Sequence, residues 1–216
     1  MYVPKFNEVK DVPVLQNFME SNPLGAWTTI AKGDIVANHI PFLLHREEGE
    51  MGTLVGHVAR QNNIWQEYSD AKNSLVIFQG AQSYMSPNWY PSKHEDGKGV
   101  PTWCYMVAHV EGIPRTIEDP EWLLQHVNEL TNKHEGKQSL PWKVSDAPDD
   151  FIDMLIKGIV GIEIPITKIT GKWKLDQNRT ESDRQGVIEG LSSTESPQSH
   201  QIAEQLTRHI ELAGKD

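Results

Sequence analysis

Apolar and polar positions alternate through the first half of the chain, and short polar or glycine-bearing stretches interrupt the alternation. "GAWTTI" (25–30) stops at "AKGD", "IVANHIPFLL" (35–44) at "REEGEMG", and "TLVGHVAR" (53–60) at "QNN". "NSLVIFQGAQSYM" (73–85) runs into a proline-rich loop, and "VPTWCYMVAHVEG" (100–112) follows the glycine-bearing "EDGKG". β-Branched and aromatic runs separated by such breaks predict a meandering antiparallel sheet or barrel. Further on, "GIEIPITKI" (161–169) puts Ile162, Ile164 and Ile166 on one face, which predicts a last strand rejoining that sheet.

The period changes elsewhere. Val14, Leu15, Phe18 and Met19 recur at helical spacing between Asp11 and the stop "SNPLG". After Ile113, "DPEWLLQHVNELTNKHE" has Asp119 at an N-cap, Pro120 at the first helical position, and a stripe of Trp122, Leu123, Val127 and Leu130. "APDDFIDMLIKGI" reads as a second helix, and "TESDRQGVIEGL" and "SHQIAEQLTRHIEL" as two more, the last striped by Ile202, Leu206 and Ile210. Between these two, Ser192–Ser199 reads as a linker. No internal repeat is present.

Composition narrows what such a fold does. The chain has 216 residues, 38% hydrophobic and 23% charged, with a formal net charge of -10. An acidic surface disfavours non-specific binding to DNA or to anionic membranes. One cysteine, Cys104, leaves no intrachain disulfide and fits a reducing compartment. "MYVPKFNEVKDV" has no apolar core of a signal peptide, and "MLIKGIVGIEIPI" is interrupted by Lys157 and Glu163 and is too short to span a bilayer. A soluble cytoplasmic protein with no membrane partner is expected.

Phosphate-binding glycine loops and the nucleophile elbow are absent from the sequence, and Cys104 sits inside an apolar run, where it reads as a small buried hydrophobe. The nine histidines include no H-x-H or H-E-x-x-H spacing. His39, His57 and His109 fall in three different strands, each reading as a hydrogen-bonded or ligand-facing side chain, and no metal is expected. Asn38, His39, His57 and Arg60 are polar residues embedded in strand-like runs. A buried polar group without a partner costs about 1–3 kcal/mol, so each needs a cross-strand partner, solvent or a ligand.

Charge is also uneven. Lys168, Lys172, Lys174, Arg179 and Arg184 stand against Asp176, Glu181 and Asp183 in one stretch, a small positive island that suits a compact dianion such as phosphate. The loop "AQSYMSPNWYPSK" (81–93) adds aromatic faces, hydroxyls, amides and a lysine. Together these suit a flat, conjugated, phosphorylated ligand; flavin mononucleotide (FMN), pyridoxal phosphate and a nucleotide all meet that description.

The motifs "MYVPKF", "HIPFLL", "GTLVGHVARQN", "AQSYMSPNWYPSK", "VPTWCYMVAHVEG" and "KWKLDQNR", in this order over roughly residues 1–190, resemble the PaiB family of FMN-binding negative transcriptional regulators. The resemblance implies a mainly β protein with peripheral helices: a six-stranded antiparallel Greek-key split barrel related to pyridoxamine-phosphate oxidases. It would span 1–191 with a helical insertion at about 119–158. Residues 192–216 would follow as a linker and a C-terminal helix packed on the barrel or on a dimer partner. The resemblance further implies a homodimer with FMN at the subunit interface. Carried over by position, it makes Thr28, Thr29, His39, Arg60, Asn62, Tyr84, Ser86, Trp89, Tyr90, Lys93, Thr102 and Trp103 candidates for the cofactor pocket. Lys174, Gln177, Asn178 and Arg179 join them from the C-terminal motif.

Two residues depart from the family pattern, with Asp176 in place of a serine and Cys104 in place of an asparagine. The implied function is negative transcriptional regulation by a flavin-bound homodimer, through DNA or a regulatory protein partner. No helix-turn-helix with a basic recognition helix is present to favour direct DNA contact. An FMN-dependent oxidoreductase and a haem-handling split-barrel protein are the alternatives, and no catalytic residue is assigned.

Overall fold

Eight residue pairs join the first two long strands, β2 (Leu24–Ala31) and β3 (Asp34–Pro41), and their turn shows how the sequence sets the register. Ala31 pairs with Asp34, so Lys32 and Gly33 form a two-residue loop, with φ of 51° and 94°. Such a turn needs left-handed backbone at both positions, and its twist matches that of the flanking strands. The "AKGD" break is this hairpin.

The computed structural model describes residues 1–68 and 74–213. Asn73, which opens the fourth expected strand, lies outside them. Ahead of the hairpin come β1 (Glu8–Val9) and α1 (Val12–Ser21), which buries Leu15, Phe18 and Met19. After it come β4 (Leu43–His45), β5 (Thr53–Ala59), α2 (Ile64–Glu67), β6 (Ser74–Met85) and α3 (Pro91–Asp96). The chain continues through β7 (Thr102–Gly112), β8 (Arg115–Ile117), α4 (Pro120–Glu135) and α5 (Asp149–Lys157). It ends with β9 (Ile159–Lys174), α6 (Glu181–Ser192) and α7 (Pro197–Ala213).

Among the described residues the sheet has nine strands in the order β3-β2-β6-β7-β9-β5-β4, with β1 and β8 also paired to β9. β1, β4 and β8 are only two or three residues long; the six others are the long strands that the alternation predicts. Along β7 alternate side chains are buried, Cys104, Met106, Ala108 and Val110 among them, because successive residues face opposite sides of a strand. Helix α4 starts as its sequence requires, with the Asp119 carboxylate accepting from the Glu121 N–H at 3.0 Å and Pro120 at the first position. Helix α6 is capped likewise by Thr180, whose Oγ1 accepts from Asp183 N–H.

The chain divides into two compact units. The larger comprises Val12–Phe78 and His109–Ile169; the smaller comprises Met1–Asp11, Gln79–Ala108 and Thr170–Asp216. The core of the larger holds Trp27, Phe42, Leu54, Val76, Phe78, Val160, Ile162 and Ile164. There Gly56 on β5 lets the end of β3 come close: a Cβ on it would stand 2.9 Å from Ile40 and 3.2 Å from the Phe42 ring. The core of the smaller holds Met85, Tyr90, Cys104, Leu175, Val187, Leu191, Ile202 and Leu206. No described helix is long and apolar enough to cross a membrane.

Candidate functional site

In the larger unit the expected residues are tied into their own strands and turns. Thr28 and Thr29 lie on β2 and His39 on β3; Thr29 is buried and His39 is exposed. Asn62 donates from its amide to Asn38 Oδ1 at 2.7 Å and accepts from Ile64 N–H, which leaves Asn38 Nδ2 buried without a partner. Arg60 donates to the carbonyls of Lys157 (2.9 Å) and Ile159 (3.2 Å) and pairs with Glu118 at 2.7 Å. Its guanidinium also lies 5.5 Å from the centre of the Trp65 ring. Arg60 thus joins the turn after β5 to the start of β9, with its charge matched by a carboxylate.

His57 has a partner that no local pattern announces. Its Nδ1 lies 3.0 Å from Nε2 of His126 on α4, and the His126 ring stacks on Trp122 at 5.3 Å and 18°. His126 Nδ1 is buried with no hydrogen bond. Burial first, then the neighbouring His57, lowers the His126 pKa to about 4, and burial also lowers that of His57. Among the described residues no three His, Cys, Asp or Glu side chains stand together as metal ligands.

In the smaller unit, loop 81–93 is built as a rigid shelf. Ser86 Oγ accepts from Asn88 N–H and caps the single turn Pro87–Trp89, and Lys93 donates to Asn88 Oδ1. Ser92 donates from both its N–H and its hydroxyl to Asp183 of α6, at 3.0 and 2.8 Å. The Trp89 indole lies flat against α6: a Cβ on Gly190 would come within 2.3 Å of it, so only glycine admits the ring there.

Tyr90 is fully buried and donates its hydroxyl to Asp176 Oδ2, while the Arg179 guanidinium sits 4.6 Å above its ring. Burial and that hydrogen bond hold the Tyr90 hydroxyl well above its ordinary pKa. Asp176 takes the left-handed backbone at φ 56°, and Gln177 braces the same turn, donating to Trp173 O and accepting from Leu175 N–H at 2.9 Å. Cys104 is buried beneath, its thiol pushed up to about 12 by burial and by the Asp176 charge, so it stays protonated.

These loops frame two clefts within the smaller unit. The first, of about 560 Å³, is lined by Tyr2, Pro4, Phe6, Asn7, Val100, Thr102, Trp103, Tyr105, Lys172, Lys174, Asp176, Asn178 and Arg179. Three cations and one carboxylate face it. Lys174 donates to Thr102 Oγ1 and, at 2.6 Å, to Trp103 O; Lys172 lies 5.3 Å over the Tyr105 ring. The second, also about 560 Å³, is lined by Gln82, Ser83, Tyr84, Trp89, Trp103, Thr194, Ser196, Gln198 and Ser199. Trp103 borders both.

Of the expected residues, Thr102, Trp103, Lys174, Asn178 and Arg179 therefore meet at the first cleft, and Tyr84, Trp89 and Trp103 at the second. Ser86, Tyr90, Lys93 and Gln177 line neither; they hold the loops that do. The sequence reading missed Tyr2, Phe6, Asn7 and Tyr105 in the first cleft and Gln82 and Gln198 in the second. The opening motif "MYVPKF" carried the signal for the N-terminal ones, with an aromatic residue on either side of a proline.

The family model described as "Putative FMN-binding domain" matches residues 1–168. The protease synthase and sporulation protein PAI 2 of Bacillus subtilis is 31% identical over 204 residues, covering 94% of this chain and 95% of the relative. An uncharacterized protein of Emericella nidulans is 33% identical and is covered, like this chain, over its whole length. Among solved structures, the FAD and heme binding protein from Mycobacterium smegmatis aligns with a TM-score of 0.57 at 12% identity, covering 78% of this chain and 73% of that one. A flavocytochrome from Azotobacter vinelandii aligns at 0.55 and 9% identity, covering 80% and 72%. At such identities these two speak for the fold alone, a mainly antiparallel split barrel with peripheral helices. The chain belongs to the PaiB-like family of FMN-binding split-barrel proteins, and its cofactor is FMN.

Proposed function

We propose that the cation-lined cleft of the smaller unit holds FMN, and that the flavin-loaded protein acts as a homodimer that lowers transcription through a protein partner. The observation that carries the cofactor assignment is the set of groups around that cleft. Lys172, Lys174 and Arg179 face it in a chain of net charge -10, beside the rings of Trp103 and Tyr105. Asn7, which lines the same cleft, has a buried carbonyl oxygen, Oδ1, with no hydrogen-bond partner. A buried acceptor left unpaired costs about 1–3 kcal/mol, and a ribityl hydroxyl or ring N–H would satisfy it.

In this reading Lys174 and Arg179 hold the phosphate, Trp103 and Tyr105 border the ring system, and Asn7 and Asn178 orient it through hydrogen bonds. When bound, FMN supplies one- and two-electron redox chemistry. Asp176 carries negative charge beside the cations. Its carboxylate accepts from Tyr90 and is thereby held against the wall, so the cations keep a free side toward a dianion. The regulatory part of the reading rests on the likeness to PAI 2 along nearly the whole chain, and the acidic net charge favours a protein over DNA as the direct contact.

The test is a flavin titration of the purified protein followed by dialysis, with sedimentation in parallel. Retained flavin and a dimer that lowers expression of a reporter support the reading. Flavin that dialyses away freely refutes the cofactor site. Steady consumption of NADH or NADPH by the flavin-loaded protein would instead make it an oxidoreductase.

A further inference from the structure

The second cleft differs from the first in kind. None of its lining residues carries a charge, yet it has as much volume, and several of its polar groups have no partner among the described residues. Its floor is closed by the buried pair Ser83 Oγ and Ser199 Oγ, 2.8 Å apart, which joins β6 to the first turn of α7. Above that floor, among the described residues, the Gln82 and Gln198 amides make no hydrogen bond, and neither do the Tyr84 hydroxyl and the indole N–H groups of Trp89 and Trp103. Tyr84 and Trp103 meet edge to face, with ring centres 6.3 Å apart, and each remains about half exposed, at 49% and 52%.

Aromatic side chains left open beside uncommitted amides are a costly surface for water and a good one for a flat polar ring. The rings offer stacking area, and each glutamine offers one donor pair and one acceptor in a single plane. That combination matches the edge of an aromatic amide, which presents an N–H donor and a C=O acceptor side by side. The absence of any cation in the lining disfavours a carboxylate or phosphate, because a desolvated anion needs a charged or multiply hydrogen-bonded partner. We infer that this cleft, which shares Trp103 with the cationic cleft, is a separate binding site for an uncharged heteroaromatic ring bearing an amide edge.

The test uses nicotinamide as the probe, read by saturation-transfer NMR titration on the full chain, with and without saturating FMN. Nicotinamide is expected to bind equally in both conditions. Nicotinate, which differs in carrying a carboxylate, is expected to give no saturable transfer once FMN is present. Gln82→Leu and Gln198→Leu should each weaken nicotinamide by about tenfold, the loss of roughly one hydrogen bond, while FMN affinity stays at the wild-type value. Unchanged FMN affinity also shows that these variants fold. Three results overturn the inference: no transfer to nicotinamide with the wild-type chain, displacement of nicotinamide by FMN, or binding insensitive to both glutamines. Displacement would make the cleft part of the flavin site and leave the FMN reading standing. Conversely, a chain that takes nicotinamide through these glutamines but releases FMN refutes the cofactor site and keeps this one.

Discussion

Acid should loosen the larger unit through one histidine. His126 is 3% exposed, stacked on Trp122 and hydrogen-bonded to His57, whose own pKa is also lowered. The groups facing the pair are His45 and Glu129, themselves hydrogen-bonded to each other at 3.0 Å. In the fold the His126 pKa falls to about 4, against an ordinary value of 6.5. The folded protein therefore holds the ring neutral where the unfolded chain would take up a proton. Stability from this group is complete above the unfolded pKa and drains away as the pH falls from 6.5 towards about 4. A shift of this size corresponds to ~3 kcal/mol, a large part of a typical domain's stability.

The assay is urea unfolding followed by far-UV circular dichroism at a series of pH values. His126→Phe serves as the comparison because it keeps a flat ring against Trp122 and cannot take up a proton. The variant should start less stable near neutral pH by roughly 1–3 kcal/mol, since His57 Nδ1 loses its partner. It should then lose less on acidification, by about the amount worked out above. Parallel pH profiles for the two proteins would refute the reasoning, because carboxylates elsewhere titrate alike in both.

Lys174→Ala should weaken FMN binding by more than about tenfold in a fluorescence titration, as a lost charge-assisted contact to phosphate predicts; wild-type affinity would remove Lys174 from the site. Arg60→Ala should lower stability by roughly 1–3 kcal/mol, measured by denaturant unfolding, with FMN affinity unchanged, because its guanidinium is committed to Lys157, Ile159 and Glu118. Gly190→Ala should lower stability by roughly 1–3 kcal/mol, since its Cβ would overlap the Trp89 indole at 2.3 Å, and thermal unfolding at wild-type temperature would contradict that packing. Cys104, buried and with its thiol pushed up to about 12, should react with a thiol reagent only on unfolding; fast labelling of the native protein would show the strand opening.

Much of the fold was legible because its signals are local. The "AKGD" break, the Asp119–Pro120 helix start and the alternation from Thr102 to Gly112 each depend on residues a few positions apart, and the structure follows all three. The candidate site was legible only in its chemistry. Tyr90 and Asp176 are 86 positions apart in sequence, and His57 and His126 are 69, so no periodicity could pair them. Nothing local in the sequence around Gly186 and Gly190 announces that the Trp89 carbonyl lies against the first and the Trp89 ring against the second. Arg60 shows the converse: an arginine among polar neighbours reads as a ligand group, and only the carbonyls at the start of β9 reveal its other use.

Trp103 lines two cavities of different electrical character, one cationic and one neutral. A side chain with two sets of neighbours cannot be changed for the benefit of one alone. A smaller residue would remove a wall from each cleft, and a charged one would alter the field in both. A substitution at this exposed position is therefore expected to act on both clefts at once.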